Sequence, residues 1–488
     1  MFSDPLISAY NTTSAFVDSI PKKDRKKYGQ FFTSRKTAEF MASLFSIDLT
    51  KPELKLLDAG AGTGLLTSAL VKRLRDSGYL GHILAVCFEN DEKVLPTLTI
   101  NLENLKNTLG IEYEIRTDNY LTSQTFIRGD LYKKEAEKYD LIIGNPPYLK
   151  IAKDAPEAKS MAEICYGAPN LYFLFWAMGI NNLKGDSELV YIIPRSWTSG
   201  AYFERFRKYL FRHCVITNIH IFGSRDKVFE GESVLQETMI IKIKKTKEIP
   251  KCIEMSSSET SDFTNIRHYD VDYNTIVASN HFVFLVTCPE EATILARINS
   301  QKNTLESDDL RMRTGLIVDF RTKEVLRNNN EDGSYPLFYS HHIRNGRVLW
   351  PVGHEAEYIV TDKSGYLQEN TDYLFVKRFT SKEEKRRLQC GIYLKADLSQ
   401  YKYISTQNKI NYIKCDTPEI AYGLFVILNS KLYDTYYRLL NGSTQVNSTE
   451  INLMPVPSKE AISEMGRELI GMELTEQNCD NILDRWIR

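Results

Sequence analysis

The short run Asn145-Pro146-Pro147-Tyr148 combines residue types that could hold a planar amine. Asn145 offers a side-chain carbonyl oxygen, and Pro146 offers a backbone carbonyl whose own nitrogen cannot donate. Two acceptors directed at one exocyclic NH2 would hold both of its protons and free the nitrogen lone pair for attack. Tyr148 would stack on the heterocycle that carries the amine, an interaction worth about 1–3 kcal/mol. A Pro-Pro turn with a surface tyrosine would explain this run alone equally well. The other motifs of the chain must therefore decide between a structural turn and an amine-binding site.

The residues before this run predict a short buried strand. Segment 139–144, with the sequence YDLIIG, is largely apolar and is followed by two prolines. Prolines cannot continue a sheet because they lack the amide donor of the ladder. Asn145 is therefore expected at the carboxyl end of a strand, which is where α/β sheets bind ligands.

A glycine-rich turn lies upstream. Segment 55–58 predicts a strand, 59–64 (AGAGTG) a turn, and the apolar spacing from Leu65 to Leu74 a helix. Glycines let backbone approach a bound cofactor closely. This pattern alone fits a dinucleotide as well as other nucleoside cofactors.

Two further strands are predicted to end in acidic residues. Segment 83–88 is followed by Glu89, which is spaced to bind ribose hydroxyls, although a solvated acidic strand end would explain Glu89 alone equally well. Segment 115–121 repeats the pattern and places Asp118 near a strand end. Four successive strand–turn–helix units of this kind predict a doubly wound α/β sheet.

Composition sets outer limits on the function. The chain has 488 residues, enough for two or three domains, and 62 basic against 63 acidic side chains. The net charge of the whole chain therefore does not indicate a nucleic-acid partner. A DNA enzyme with this composition would have to concentrate its positive charge on one face. The eight cysteines form no C-x-x-C pair, so a reduced, cytoplasmic protein without a zinc site or disulfide framework is expected. No apolar stretch is long enough to span a bilayer, so no membrane association is expected.

Taken in order, five motifs resemble those of one enzyme family. They are GQFFT at 29–33, LDAGAGTG at 57–64, the acidic strand end at Glu89, TDNYL at 117–121 and IIGNPPY at 142–148. This order resembles the γ-class, N6-adenine-specific DNA methyltransferases of type II restriction–modification systems. The resemblance implies a Rossmann-like methyltransferase sheet and S-adenosylmethionine as cofactor. It also implies double-stranded DNA as substrate and a functional pairing with a restriction endonuclease.

The resemblance also implies residue roles. Residues that would bind the cofactor are Thr33, Asp58, Ala59, Gly60, Glu89, Asp118 and Asn145. Asp91 is a reserve candidate for the role of Glu89. Residues that would hold the flipped target base are Asn145, Pro146, Tyr148 and Phe229. Gln30 and Phe31 would lie near Thr33, which is followed by Ser34 where the family commonly has proline; either Thr33 or Ser34 could cap the helix that follows. No metal is expected in the site.

The polar segment 255–261 predicts a linker or loop, which places a domain boundary near residue 250, and the periodicity beyond it predicts mixed α/β structure. The resemblance implies that 1–250 form the catalytic domain and 251–488 the DNA target-recognition domain. Segments that resemble target-recognition regions are 313–321, 341–343, 377–387 and 442–451. The basic cluster from Arg378 to Arg387 could neutralise phosphates or be a solvated helix face. The amides and hydroxyls of 441–451 could read base edges or form a polar turn. His341 and His342 lack an acidic or thiol partner at ligand spacing, which argues against a metal there.

Alternative functions stay open at this point. An RNA-base or protein-glutamine N-methyltransferase can use the same NPPY turn, although the long C-terminal half and GQFFT at 29–33 disfavour both. A DNA-binding subunit with a relic cofactor fold is a second alternative, and an N4-cytosine methyltransferase a third. A monomer is expected, because one methyl transfer to a hemimethylated site needs only one copy.

Overall fold

The computed structural model of the chain describes residues 4–20, 33–126, 136–223, 238–381, 384–441 and 444–487. Two units can be separated by their internal contacts. The first comprises Met1–Thr198 and Tyr202–Thr287, and the second comprises Ser199–Ala201 and Cys288–Arg488.

A nine-stranded sheet organises the first unit. Its strands are β1 Glu53–Ala59, β2 His82–Phe88, β3 Glu112–Arg116, β4 Tyr139–Gly144, β5 Leu183–Pro194, β6 Val215–Phe222, β7 Thr238–Lys244, β8 Cys252–Ser258 and β9 Arg267–Asp272. They lie in the order β3-β2-β1-β4-β5-β7-β6-β8-β9. Strands β1 to β5 are mutually parallel, and β7 runs antiparallel to both β5 and β6. The predicted doubly wound α/β sheet is confirmed.

Helices cover both faces of this sheet. The described helices of the first unit are α1 Pro5–Ser19, α2 Arg35–Ser43, α3 Leu65–Asp76, α4 Leu95–Leu109, α5 Pro156–Ser160, α6 Leu171–Asn182, α7 Glu204–His213 and α8 Tyr273–Ile276. Side chains alternate between the two faces of a strand. Val190 and Ile192 of β5 therefore join the core beneath α1 to α4, while Leu189 and Tyr191 meet Gly179 of α6 on the other face.

Local capping explains where the helices near the site begin. Asp4 accepts from the amides of Leu6 and Ile7, and Pro5 occupies the first turn of α1. Ser34, one of the two predicted caps, accepts from the amide of Thr37 and starts α2.

The first unit continues past the domain boundary predicted near residue 250. Strand β8 pairs parallel with β6, and β9 pairs with β8, so the compact unit runs to Thr287. The segment 255–261, predicted as a linker or loop, contributes residues 255–258 to β8 instead. Its serines are satisfied in the sheet, since the buried ring of His220 lies 2.9 Å from Ser256 Oγ and 3.0 Å from Ser258 Oγ.

The second unit is mixed α/β, as expected. Its strands are β10 Asn303–Thr304, β11 Met312–Thr314, β12 Leu326–Arg327, β13 Ser334–Phe338, β14 Ile343–Arg344, β15 Arg347–Val348, β16 Tyr358–Val360, β17 Gln368–Glu369, β18 Asp372–Lys377, β19 Cys390–Tyr393, β20 Tyr403–Thr406, β21 Ile410–Cys415 and β22 Pro455–Val456. In the part of the chain that the structure describes, they form three sheets, in the orders β11-β21-β18-β19-β15-β14, β12-β16-β13-β20-β17 and β10-β22.

The described residues of the second unit also form six α-helices. They are α9 Pro289–Asn299, α10 Pro418–Leu428, α11 Lys431–Leu440, α12 Ser448–Asn452, α13 Lys459–Leu469 and α14 Glu476–Trp486. Helices α10 and α13 cross at glycines: a Cβ at Gly423 would lie 1.8 Å from the Ile462 carbonyl oxygen, and one at Gly466 would lie 1.8 Å from the Glu419 carbonyl oxygen. The two backbones touch directly, which only glycine permits. Within the described ranges, every helix is too short or too polar to cross a membrane.

Candidate active site

A cavity of about 640 Å³ opens where the carboxyl ends of β1, β2, β3 and β4 meet. Its size falls within the usual range for small-molecule sites. Its walls include Thr13, Thr33, Gly60, Ala61, Gly62, Thr63, Phe88, Glu89, Asn90, Asp91, Glu92, Lys93, Asp118, Asn119, Asn145, Pro147, Leu149, Glu157, Leu171 and Phe175. The structure thus brings together five predicted site residues from separate motifs: Thr33, Gly60, Glu89, Asp118 and Asn145.

The glycine-rich turn forms the floor of the cavity. Gly60, Gly62 and Gly64 have φ angles of 73°, 56° and 81°, a left-handed conformation that favours glycine. The amides of Gly60 and Ala61 donate to the Phe88 carbonyl at 2.8 and 2.9 Å, which ties the turn to the end of β2. At Gly60 and Gly62, a ligand in this cavity would meet backbone rather than side chains.

Glu89 connects β2 to that turn. Its carboxylate accepts from the amide of Gly62 at 2.8 Å and from the amide of Asp91 at 2.9 Å. Burial raises the pKa of Glu89, and these two hydrogen bonds oppose the rise. A carboxylate has about four acceptor positions, so Glu89 keeps capacity for ligand hydroxyls. Asp91, the reserve candidate, also lines the cavity and accepts from the amide of Lys93.

Asn145 stands at the end of β4 with its side-chain amide fixed. Its Nδ2 donates to Thr33 Oγ1 at 3.2 Å. Thr33 directly precedes Ser34, the cap of α2, so the start of that helix positions the amide. The first and last of the five sequence motifs therefore meet at one hydrogen bond.

Pro146 and Tyr148 lie beside the cavity wall rather than in it. Pro146 is buried, and Pro147 takes its place in the wall. The Tyr148 hydroxyl donates to the Ile192 carbonyl at 3.0 Å, and its ring meets the ring of Tyr172 edge-on at 6.2 Å. These contacts hold the Tyr148 ring in one orientation next to Asn145.

Asp58 and Ala59 do not reach the cavity, contrary to the sequence prediction. Strand β1 continues through both residues and turns the Asp58 side chain into the layer between sheet and α3. Asp58 is 2% exposed, and its Oδ2 accepts from Thr67 Oγ1 at 2.8 Å. Its Oδ1 has no hydrogen-bond partner among the described residues. Burial raises the pKa of Asp58 to about 7.

Three residues implied by the resemblance lie outside the described part of the chain. They are Phe229, assigned to the flipped base, and Gln30 and Phe31, assigned to the neighbourhood of Thr33.

Helix α1 forms part of the wall, which the sequence analysis did not anticipate. Thr13 Oγ1 lies 2.7 Å from Thr63 Oγ1. The adjacent Thr12 donates to the Asn101 side-chain oxygen at 2.7 Å, and Asn101 Nδ2 donates to the Thr63 carbonyl at 2.8 Å. The pair Asp4-Pro5, an N-cap followed by proline in the first turn, was the available signal for this helix.

The loop between the NPPY turn and α6 was also not predicted to be part of the site. Its two ends pair, since the Leu171 amide donates to the Leu149 carbonyl at 2.8 Å, which closes a loop next to Asn145. Within it, Glu157 accepts from Asn119 Nδ2 at 2.8 Å. This bond fastens the loop to the end of β3.

The charge of the wall suits a cationic nucleoside. Its described acidic residues are Glu89, Asp91, Glu92, Asp118 and Glu157, and its described basic residue is Lys93. Carboxylates accept from a ribose diol and from an adenine amine. Their negative charge would also attract a sulfonium and an ammonium group. The donor and acceptor set therefore fits S-adenosylmethionine.

In the second unit, the predicted basic cluster is partly structural. Arg386 Nη2 donates to the carbonyls of Leu428 and Ser430, both at 3.2 Å, and its Nη1 pairs with Glu476. Arg387 is fully buried. These two guanidinium groups stabilise the unit and do not form a solvent-facing phosphate patch.

His341 and His342 have an acidic neighbour that their linear spacing hid. Glu357 lies with them in a cluster whose ligand atoms are all within 4.8 Å of one another. His342 Nδ1 accepts from the Tyr339 amide at 2.8 Å, so its Nε2 carries the proton that is shared with Glu357 at 2.6 Å. Both nitrogens of His342 are therefore engaged within the protein.

Comparison with known proteins gives the family. The Eco57I restriction-modification methylase family matches residues 47–229. The type II methyltransferase M.PstI of Providencia stuartii is 33% identical over 476 residues, which cover 94% of this chain and 93% of the relative. M.BsuBI of Bacillus subtilis is also 33% identical, over 94% of this chain and 92% of its own.

A solved structure shows the same fold over most of the chain. The type IIL restriction-modification enzyme MmeI, solved in complex with DNA, aligns with a TM-score of 0.53 at 12% identity. The alignment covers 92% of this chain and 72% of MmeI. With two relatives that match almost end to end, this chain belongs to the type II methyltransferases of restriction–modification systems, the family of M.PstI and M.BsuBI.

Proposed function

We propose that this chain is a site-specific DNA adenine methyltransferase. It transfers a methyl group from S-adenosylmethionine to the N6 amine of a flipped adenine in duplex DNA, and so protects host DNA from a cognate restriction endonuclease. The observation that carries the proposal is the position of Asn145. Its amide is fixed by Thr33 in the wall of the cavity that also contains Gly60, Glu89 and Asp118.

The cofactor side of the proposal rests on the wall residues. Glu89 would accept from the ribose hydroxyls, and Asp118 from the adenine amine of the cofactor. The backbone of Gly60 would pass beneath the methionine portion. S-adenosylmethionine, once bound, supplies a methyl group on a positively charged sulfur that needs no further activation.

The target amine would be held by two oxygen atoms of the NPPY turn. Asn145 Oδ1 and the Pro146 carbonyl would each accept one amine proton, which leaves the nitrogen lone pair directed at the methyl group. Because these acceptors are fixed before the base arrives, the residues act through positioning and electrostatics. One of the two amine protons can leave after methyl transfer has made the nitrogen cationic, so no strong base is required.

Tyr148 would offset part of the cost of base flipping. Flipping a base out of a duplex costs a few kcal/mol. A ring whose hydroxyl is already bonded to the Ile192 carbonyl has little freedom left to lose when a base stacks on it. Phe229, as the resemblance implies, would pack on the other side of that base.

The remaining parts of the proposal concern the whole chain. The second unit would recognise the target sequence in DNA. The enzyme would act as a monomer in the cytoplasm, where host DNA lies.

The central test combines product identification with one substitution. The full chain is incubated with S-adenosylmethionine carrying a labelled methyl group and with plasmid DNA, RNA or protein, and the DNA is then digested to nucleosides. We expect label in DNA alone, as N6-methyladenine. Asn145→Ala should lose turnover by about 10²–10³-fold or more, because a positioned polar group is removed. Calorimetry should show cofactor affinity close to that of the wild type.

Asn481→Ala, at an exposed asparagine of α14, is the matched control and should keep full turnover. Label recovered as N4-methylcytosine would overturn the adenine assignment, and label in RNA or protein would overturn the substrate. Unchanged turnover in Asn145→Ala would overturn the site.

A further inference from the structure

We infer that a surface formed by four loops of the second unit reads the target base sequence, with Arg378 contacting base edges and Lys409 contacting phosphate. The inference rests on the proposed function, whose substrate is duplex DNA. The four loops are 317–321, 378–380, 407–409 and 444–446, and they are called the four-loop surface below.

Hydrogen bonds between backbones assemble this surface from distant parts of the chain. The amide of Asn408 donates to the Ile317 carbonyl at 2.7 Å, and the amide of Arg378 donates to the Lys409 carbonyl at 2.9 Å. The amide of Val446 donates to the Arg378 carbonyl at 2.7 Å. Each loop is therefore bonded to its neighbour, with 378–380 between 407–409 and 444–446.

The sheet beneath explains why these loops meet. Strands β11, β21 and β18 are neighbours in the six-stranded sheet. Lys377, the last residue of β18, pairs with Ile410, the first of β21, and Thr314, the last of β11, pairs with Asn411. Three of the four loops thus leave the same end of three adjacent strands. Sites that rest on rigid elements hold their side chains more precisely than free loops.

Positive charge is in excess on this surface. Arg321 and Lys409 are exposed, and Arg378 is half-buried. None of these three cations forms an ion pair with any residue in the described ranges. The one acid in the loops, Asp319, accepts from Gln407 Nε2. In a chain with a formal net charge of −1, such a local excess is what a polyanionic partner requires.

Exposed aromatic rings accompany these cations. Phe320 is 70% exposed and Phe379 is 45% exposed. The guanidinium of Arg321 lies 5.3 Å from the Phe320 ring, and that of Arg378 lies 5.5 Å from the Phe379 ring. Exposed rings next to cations are the combination that contacts nucleic acid by stacking and charge together.

The two cations differ in how they are held, and this separates their roles. Arg378 Nη1 donates to the Asn408 carbonyl at 3.1 Å, and its guanidinium lies over Phe379. A guanidinium held on two sides presents its remaining donors in fixed directions, as a bidentate contact with a guanine edge requires. Lys409 has an exposed side chain with no such restraint from the described residues, which suits a phosphate.

The experiment compares three variants of the full chain: Arg378→Lys, Lys409→Ala and the control Lys302→Ala, at an exposed lysine of the same unit outside the surface. Each is expressed in a host, and the methylated positions in the DNA are sequenced. The wild-type motif then defines a cognate duplex, and binding to it and to a scrambled duplex is measured at several salt concentrations.

Arg378→Lys keeps the charge but loses the planar fork. We expect the methylation motif to degenerate at one position or more, with a loss of discrimination of about ten-fold or more. Lys409→Ala should keep the motif, weaken both duplexes alike and lower the salt slope by about one. Lys302→Ala should match the wild type in both measurements.

An unchanged motif in Arg378→Lys would overturn the assignment of Arg378 to base edges, and an unchanged salt slope in Lys409→Ala would overturn the assignment of Lys409 to phosphate. In either case, DNA methylation by the wild type would still support the proposed function. A wild type that methylates no DNA would overturn the proposed function, and this inference with it. If Arg378→Lys fails to fold by its thermal transition, Phe379→Ala replaces it, with the same loss of discrimination expected.

Discussion

Asp58 carries a carboxyl group in surroundings that disfavour its charge. One of its oxygens is bonded to Thr67, the other has no partner among the described residues, and burial raises its pKa to about 7. A buried carboxyl with a raised pKa folds most favourably in its protonated form. This part of its contribution to stability is fully present below the unfolded pKa near 3.8 and is lost as the pH rises toward 7.

The substitution Asp58→Asn tests this directly. Asparagine has a similar shape and cannot ionise, so we expect the variant to gain stability over the wild type as the pH rises from 5 to 8. Linkage sets the slope at about 1.4 kcal/mol per pH unit between the two pKa values. Chemical denaturation at both pH values measures it. Asp332→Asn, at an exposed loop position, is the control, and an equal effect of Asp58→Asn at pH 5 and 8 would contradict the burial argument.

The sequence predicted which residues lie near the site better than it predicted the direction in which each side chain points. Apolar runs that end in polar residues identified Glu89, Asp118 and Asn145, and all three line the cavity. Asp58 belongs to the same kind of pattern but points under the sheet. Successive side chains of a strand face opposite ways, so a shift of one residue determines whether a side chain faces the ligand or the protein interior. That direction depends on where β1 ends against its neighbours, which no local pattern records.

At the scale of elements, the polar composition of β8 led to a wrong prediction. The serine-rich segment 255–261 was predicted as a linker or loop, yet Ser256 and Ser258 are hydrogen-bonded to His220 within the sheet. The ring of His220 comes from β6, more than thirty residues earlier in the chain. Because buried hydroxyls become acceptable once they are hydrogen-bonded, such a strand depends on a distant partner.

Helix packing in the second unit gives a prediction at the same scale. Gly466 and Gly423 let α13 and α10 touch backbone to backbone. We expect Gly466→Ala to destabilise the protein by about 1–3 kcal/mol or more, because the new methyl group would overlap the Glu419 carbonyl. An exposed helix would instead gain about 1 kcal/mol from the same change.

The sign of that change is therefore informative. Urea denaturation measures it, with Glu464→Ala on the exposed side of α13 as a control expected to stay within about 0.5 kcal/mol of the wild type. A stabilised Gly466→Ala protein would show that the two helices can separate without loss.

At the scale of the whole molecule, the sheet of the first unit was predictable and the second unit was not. Strands β1, β2 and β4 are mostly apolar segments of six or seven residues followed by turns, which local patterns identify. In the second unit, β13 pairs with both β16 and β20, and β15 is joined to β19 at a single pair of residues. Short strands held by such distant pairing carry little local signal.

The extent of the first unit leads to a prediction about fragments. A fragment of residues 1–250 would lack β8 and β9, leaving β6 as an unpaired edge and His220 without its serine partners. We expect residues 1–287 to give a cooperative thermal transition and to bind S-adenosylmethionine. The shorter fragment should melt at lower temperature or aggregate. Equal stability of the two fragments would show that β8 and β9 add nothing to the unit.

Helix α1 matters to anyone who designs a minimal enzyme from this family. Trimming the chain to its motifs, beginning at 29–33, would appear harmless because nothing before them matches a motif. The cut would remove Thr13 and Thr12, whose hydroxyls reach Thr63 and Asn101, and would open one side of the cavity to water. A shortened version should therefore retain the first twenty residues, even though none of them is expected to touch the reacting atoms.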